Sequence, residues 1–281
     1  MPYKNIVVVG AGGNGGLISK ALLKEGANVV VLSRPTSSSG KDLPKAIRIV
    51  LVDYSDVPAL AATFKDHKIE VVISTISDQV IAQQTAIGDA AKHAGVKLFL
   101  PSEFGANTIG HTEGALSPKH YFAEHLKSIG LPSARIFNGL LITYIPWVIG
   151  LESGKIYLVG GKGDQKATFT HPDDVASFVG YILTHLPASE LEDKVFRIEG
   201  ESATMLQIAG YYGAKYPVEY VDEIPGEPFK NALQAILNGG KGSVAYSVEA
   251  GKDLTGAEAA GASNVLWAGH QWKGIKEGLG L

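Results

Sequence analysis

Apolar and polar positions come in alternating blocks along the first half of the chain. Ile6-Val7-Val8-Val9, Ala27 to Leu32, Ile47 to Val52, Val71 to Thr75 and Lys97 to Leu100 are short runs dominated by aliphatic and β-branched residues. Runs that are apolar at nearly every position fit strands buried on both faces. The blocks between them carry helical spacing. From Asn14 to Glu25 the residues Leu17, Ile18, Ala21 and Leu22 share one face, and Gly26 stands where a left-handed residue stops a helix. Val57–Asp66 and Ile81–Ala94 read as further helices, the second ended by Gly95. Strand and helix in alternation predict a parallel sheet with crossover helices on both faces. Ser133–Phe137 reads as a sixth strand.

The pattern loosens in the second half. Lys155–Val159 followed by Gly160-Gly161-Lys162-Gly163-Asp164 reads as a short strand and a hairpin-like turn. Thr168–Thr170 leads into a helix that Pro172, Asp173 and Asp174 open, a structural role for both aspartates. Val195–Ile198 and Val218–Val221 read as strands, and Thr204–Tyr216 and Phe229–Leu237 as helices. Leu140–Ile149, with Tyr144, Pro146 and Trp147, fits either a wall for a flat aromatic ligand or plain core.

Charge and composition narrow the functions open to such a chain. Its 281 residues suffice for one or two full cores. A net charge of −3 argues against a general nucleic-acid or anionic-membrane surface. The absence of cysteine excludes disulfides, thiolate catalysis and Cys-based metal sites. The histidines lack metal-ligand spacing, so no metal site is expected. No apolar run has the length of a membrane span, and the first strand begins within a few residues of Met1. The expected setting is cytoplasmic.

The candidate chemistry gathers where strands end. Gly10-Ala11-Gly12-Gly13-Asn14-Gly15 follows the first strand and opens the first helix, with the G-x-G-x-x-G spacing of a dinucleotide site. Gly10 allows the tight turn, Gly12 leaves room for a pyrophosphate, and Gly15 lets the helix pack close. The helix N-terminus, including Gly13 and Asn14, then faces the anion. The second strand ends in Ser33-Arg34, with no acidic residue before Asp42. An acidic side chain there would bind the ribose 2′-hydroxyl of NAD, whereas Arg34 pairs with a 2′-phosphate. Lys41 offers a second charge, and Pro35–Gly40 a serine-rich loop over the adenosine. The expected cofactor is therefore NADPH. Thr75, at the exit of the fourth strand, is placed beside it. Pro101-Ser102-Glu103-Phe104-Gly105, at the exit of the fifth, places a hydroxyl, a carboxylate and a ring at the same edge. Ser102 and Phe104 are read as cofactor contacts, and Glu103 equally well as an ion-pair partner or cap.

The glycine turn, Ser33-Arg34, Val72-Ile73-Ser74-Thr75 and above all Leu100-Pro101-Ser102-Glu103-Phe104-Gly105 resemble the NmrA-like branch of the atypical short-chain dehydrogenases. The pattern is closest to the isoflavone reductase, pinoresinol–lariciresinol reductase and phenylcoumaran benzylic ether reductase group, over roughly residues 4 to 210. The resemblance implies a catalytic lysine at the start of the helix after Pro-Ser-Glu-Phe-Gly. Counting back from the turn Ile129-Gly130-Leu131-Pro132 places it at Lys119, with Ser117 as N-cap and Pro118 as first helical residue. It also implies that the exit of the sixth strand, at Asn138, runs past the nicotinamide, and that a C-terminal lobe closes the substrate pocket. The Tyr-x-x-x-Lys pair of ordinary short-chain dehydrogenases is missing near Lys119, and Tyr211-x-x-x-Lys215 is a chance match.

The fold implied is α/β, a doubly wound parallel Rossmann sheet over residues 1–150 with a smaller substrate lobe over 151–281, interleaved with the last sheet elements. The function implied is an NADPH-dependent reductase of a small aromatic, quinone-like or enone-like molecule, Lys119 serving as general acid/base near the cofactor. The alternative is a non-catalytic NADP(H) sensor that regulates a partner protein. Either a monomer or a homodimer fits.

Overall fold

A computed structural model describes residues 2–281. In chain order the elements are β1 (Asn5–Val9), α1 (Gly13–Lys24), β2 (Asn28–Ser33), β3 (Arg48–Leu51), α2 (Val57–Asp66), β4 (Val71–Ser74), α3 (Gln84–Ala94), β5 (Leu98–Leu100), α4 (Ser117–Ser128) and β6 (Ala134–Phe137). There follow β7 (Leu140–Leu141), α5 (Ile145–Val148), β8 (Ile156–Val159), β9 (Lys166–Thr170), α6 (Pro172–His185), β10 (Lys194–Arg197), β11 (Glu201–Thr204) and α7 (Met205–Tyr211). Last come β12 (Val218–Val221), α8 (Pro228–Asn238), β13 (Tyr246–Ser247), β14 (Lys252–Asp253) and α9 (Ile275–Leu279). Two compact units divide the chain. The first takes the residues through Glu103, then Thr108–Ile136 and Val175–Phe196; the second takes Phe104–Asn107, Phe137–Asp174 and Arg197–Leu281.

The first unit is built on a five-stranded sheet in the order β3-β2-β1-β4-β5, every pair parallel. Val7, Val9, Val30, Leu32, Val72 and Phe99 bury one face of it against Leu60 and Phe64 of α2, Ile87 and Ala90 of α3, and Phe122 and Leu126 of α4. Side chains alternate along a strand, so the fully buried Ile6, Val8, Val31 and Ile73 serve the opposite face. There α1 buries Ile18 and Leu22. A Cβ on Gly180 of α6 would lie 3.3 Å from the Ala21 backbone, so glycine lets α6 and α1 approach closely. Apolar strands covered on both faces make this the doubly wound Rossmann arrangement the alternation predicts.

Some local readings are corrected. The expected sixth strand joins β5 only by an isolated bridge between Ser133 and Phe99, and β6 then pairs with β10. The helix expected from Ile81 to Ala94 is α-helical from Gln84, with Ile81–Gln83 in 3₁₀ geometry. A 3₁₀ segment, Asp78–Gln83, leaves helical geometry at Val80 (φ −124°, ψ 19°) before α3 begins. Ser117 does not cap α4. Leu116 holds the cap position without a side-chain bond, and the Ser117 hydroxyl donates to the Gly114 carbonyl at 2.9 Å. The preceding turn already fixes Ser117 in helical position, one residue too late to cap.

In the second unit β9 lies between β11, antiparallel, and β7, parallel. The hairpin expected after Val159 does not form. β8 pairs in parallel with β12, and the positive-φ turns at Gly160 and Gly163 carry the chain away into the other sheet. Glu201–Thr204 is a strand, which shortens the expected Thr204–Tyr216 helix to α7 and a 3₁₀ turn at Gly213–Lys215. Thr204 and Gln207 start α7 with a reciprocal capping box. The core of this unit gathers Ile142, Ile145, Phe169, Met205, Ile208 and Leu237. Asp174, in the first turn of α6, accepts hydrogen bonds from His270 Nε2 at 3.0 Å and from the Lys273 N–H at 2.8 Å.

Within the first unit Glu103 and Arg135 form a buried ion pair. Arg135 Nε donates to Glu103 Oε1 at 2.9 Å, and Nη2 donates to the Thr108 hydroxyl at 2.6 Å. The Glu103 side chain is fully buried. A buried pair adds little over an apolar one, but breaking it strands a charge. Arg135→Met is expected to cost about 3–5 kcal/mol, read as a lower urea midpoint. Arg135→Met with Glu103→Gln should recover part of that loss.

Candidate dinucleotide cleft

The glycine turn is fixed by sterics before any ligand is considered. Gly10 has φ +104°, a conformation that L side chains rarely adopt. A Cβ on Gly15 would lie 2.0 Å from the Gly10 carbonyl oxygen and 2.5 Å from Thr75 Oγ1. The Thr75 hydroxyl donates to the Val9 carbonyl at 3.0 Å and lies equally close to the Gly10 carbonyl. So Gly10, Gly15 and Thr75 lock the exits of β1 and β4 to the first turn of α1.

Gly12 and Gly13 differ. Neither has a positive φ. A Cβ on Gly13 would meet nothing within 4 Å, and one on Gly12 only the Ser39 hydroxyl at 4.0 Å. The protein's own packing does not require glycine at either position. Gly12 is the N-cap of α1, and no side-chain cap bond is made to the first N–H groups of the helix among the described residues. Open space in front of uncapped donors suits an anion that needs close access to the backbone.

A cleft opens there, lined by Gly10, Ala11, Gly12, Ser33, Arg34 and Thr75 together with Ser37, Ser39, Tyr54, Ile76, Ser77 and Val80. Arg34 is exposed and has no carboxylate partner among the described residues. Tyr54 is buried and donates to the Leu32 carbonyl at 2.9 Å. Burial pushes its hydroxyl up to about 12, against the opposing pull of the Arg34 guanidinium. Tyr54 escaped sequence reading. Its signal was its place just after the third strand, at the carboxyl edge where ligands sit. The neighbouring Asp53 forms a turn. Its carboxylate accepts from the Ser55 N–H at 2.9 Å and the Ser55 hydroxyl at 2.8 Å, and those bonds hold it below the usual range.

Not every expected residue lines this cleft. Gly13, Asn14 and Gly15 lie in the first turn of α1 and are not among the lining residues. Lys41 is exposed and away from the lining. Ser102 is buried, its hydroxyl donating to the Ile76 carbonyl at 2.8 Å and its N–H to Gln84 Oε1 at 2.7 Å. Ser102 therefore braces a residue of the cleft wall. Glu103 takes the ion-pair role rather than a free carboxylate's. Lys119, in the first turn of α4, places Nζ 3.0 Å from Asp78 Oδ1 and 3.3 Å from the Glu103 carbonyl oxygen.

Phe104 and Asn138 belong to the second unit. Phe104 holds a positive φ of +35°, rare for a residue with a side chain. Asn138 is fully buried, with its N–H donating to the Gly105 carbonyl at 3.0 Å and its carbonyl accepting from the Thr170 hydroxyl at 2.8 Å. Its Nδ2 donates to the Gly139 carbonyl, while Oδ1 is buried without a partner among the described residues. Gly139 has φ +67°, and a Cβ there would lie 2.1 Å from the Thr168 carbonyl oxygen, so this turn too is fixed by close approach.

The sequence profile of the NmrA-like family matches residues 2–268, and the chain belongs to that family. Among curated relatives, a bifunctional pinoresinol-lariciresinol reductase of Forsythia intermedia is 28% identical over 201 residues, covering 62% of this chain and 64% of that protein. Eugenol synthase 2 of Clarkia breweri is 30% identical over 197 residues, covering 62% of each. In both, the match spans less than two thirds of the relative's length. Among solved structures, the binary complex of leucoanthocyanidin reductase and NADPH from Vitis vinifera superposes with a TM-score of 0.76 at 20% identity, covering 97% of both chains. That likeness is one of fold.

The two kinds of glycine can be separated by substitution. Gly15→Ala is expected to lower the melting temperature by several degrees, because its Cβ meets backbone. Gly12→Ala should leave the melting temperature within about two degrees and weaken NADP+ binding by roughly tenfold or more, read by calorimetric titration.

Proposed function

We propose that the chain is an NADPH-dependent reductase of a small aromatic, quinone-like or enone-like substrate. The observation that carries this reading is the cleft at the carboxyl edge of the sheet, where Gly12 leaves open space and Arg34 has no carboxylate partner among the described residues. The residues present fit the cofactor. The uncapped start of α1 takes the pyrophosphate, and Arg34, with the hydroxyls of Ser37 and Ser39 nearby, takes the 2′-phosphate. An Asp or Glu in place of Arg34 would favour NADH instead. When bound, NADPH supplies the hydride.

The protein's part is orientation and a proton. Lys119 Nζ donates the proton to the substrate atom that gains negative charge, and the first turn of α4 carries it. Substrate recognition is assigned to the second unit. Trp147 is exposed and stands 5.9 Å, ring to ring, from the exposed Phe229, and Tyr144 is exposed nearby in sequence. Flat aromatic side chains open to solvent suit a flat aromatic substrate. The names of the relatives, a pinoresinol-lariciresinol reductase and a phenylcoumaran benzylic ether reductase among them, support the same class.

The test is the loss of reduced nicotinamide absorbance with purified protein and a panel of quinones, enones and benzylic ethers. Turnover is expected with NADPH. Lys119→Ala should cut kcat by roughly a hundredfold or more while the dissociation constant for NADPH changes no more than a few-fold. Wild-type turnover in Lys119→Ala would remove the lysine from the mechanism. Tight NADPH binding with no turnover across the panel would overturn the reductase reading in favour of a dinucleotide sensor.

A further inference from the structure

The ammonium of Lys119 is held from two sides within the first unit. Asp78 Oδ1 lies 3.0 Å from Nζ, and the Glu103 carbonyl oxygen lies 3.3 Å away. An ammonium has three donors. Two are directed by these contacts, and no third partner takes the last among the described residues of this unit.

The two anchors differ in kind. The Glu103 carbonyl belongs to a residue whose side chain is buried against Arg135 and Thr108, so its position is fixed by packing. Asp78 is 71% exposed, whereas the lysine side chain is only 14% exposed. The carboxylate thus reaches inward from the surface to a nearly enclosed amine. With its carboxylate mostly in water, the pair contributes little to folding. It caps nothing either: Ser77 precedes the 3₁₀ segment as its cap residue, and no side-chain cap bond is made there.

The place of Asp78 in the chain gives the pair its meaning. Thr75, Ile76 and Ser77 before it and Val80 after it all line the cleft. The backbone leaves helical geometry at Val80, which separates this turn from α3. A single short turn therefore forms one wall of the cleft and carries the counter-ion of the lysine. Movement of that wall moves the carboxylate with it.

We propose that Asp78 is a positioning residue for proton transfer. It aims Lys119 Nζ from the cleft wall, with the Glu103 carbonyl as fixed second anchor, and it acts only through that lysine. The inference rests on the reductase reading above.

Two measurements test it. The first needs no turnover. Labelling of Lys119 in the cofactor-free protein by an amine-reactive ester, followed by mass spectrometry against the exposed Lys24, reads how firmly the ammonium is held. Asp78→Asn should raise the Lys119 rate by roughly threefold or more, since an amide does not hold an ammonium as a carboxylate does. The second is a kinetic cycle of wild type, Asp78→Asn, Lys119→Ala and the double variant. Asp78→Asn should lower kcat by roughly tenfold with melting temperature and KM for NADPH unchanged, and Asp78→Glu should recover part of it. In the Lys119→Ala background the second substitution should cost nothing further, the signature of a residue acting through another. Unchanged labelling overturns the proposal, and so does a full additive loss in the double variant. If wild type turns over no substrate, the reductase reading fails, and the labelling arm still decides whether Asp78 holds Lys119.

Discussion

Gly15 stands against the carbonyl of Gly10 so closely that a single added carbon would sit 2.0 Å from that oxygen. The hydroxyl of Thr75 closes the same knot from the neighbouring strand. Sheet order explains why the knot lies there. β1 is flanked by β2 and β4, so the chain winds one way through β2 and β3 and the other way through β4 and β5. The exits of β1 and β4 part at that point and leave a crevice at the carboxyl edge. A tight, side-chain-free contact at its base holds the start of α1, at Gly12, against the opening.

The crevice then owes its character to what is missing. Among the described residues, Gly12 and Gly13 have no packing reason to be glycine, the helix start has no side-chain cap, and Arg34 has no carboxylate partner. Each would be a loss to a protein with no ligand, since open space, free donors and an uncompensated charge stabilise nothing. Together they are complementary to a doubly charged pyrophosphate and a further phosphate. Membership of the NmrA-like family agrees with such a cleft. The step from cleft to reductase rests on Lys119, which is held beside the cleft wall by Asp78 and beside the buried Glu103–Arg135 pair by a backbone carbonyl.

The first half of the fold was legible because its signals are local. A strand apolar on both faces, a glycine stop and an amphipathic helix each occupy a few consecutive residues. Val57–Asp66 and the strands up to β5 accordingly lie within a residue or two of where the pattern puts them. The second half was less legible because its partners are distant in sequence. β8 pairs with β12, and β9 with β11 and β7, and nothing near Val159 reveals this. The glycine turn and the exits at Ser33, Arg34 and Thr75 were readable as a cleft, since strand ends converge in a parallel sheet. Tyr54 was not singled out because an aromatic residue after a strand is ordinary. The inward turn of Ser102 and Glu103 was hidden because a loop sequence does not say which side of the backbone faces the core. Asp78 was invisible for a related reason: only the folded turn brings it to Lys119.

The central claim is that the glycine turn and Arg34 make a cleft for a 2′-phosphorylated dinucleotide. Calorimetric titration of the purified protein with NADPH and NADH, side by side, addresses it most directly. The expected result is saturable one-to-one binding of NADPH, at least about tenfold tighter than NADH, with the difference shrinking as salt screens the phosphate–Arg34 pair. Equal affinity for the two, or no binding of either, would contradict it.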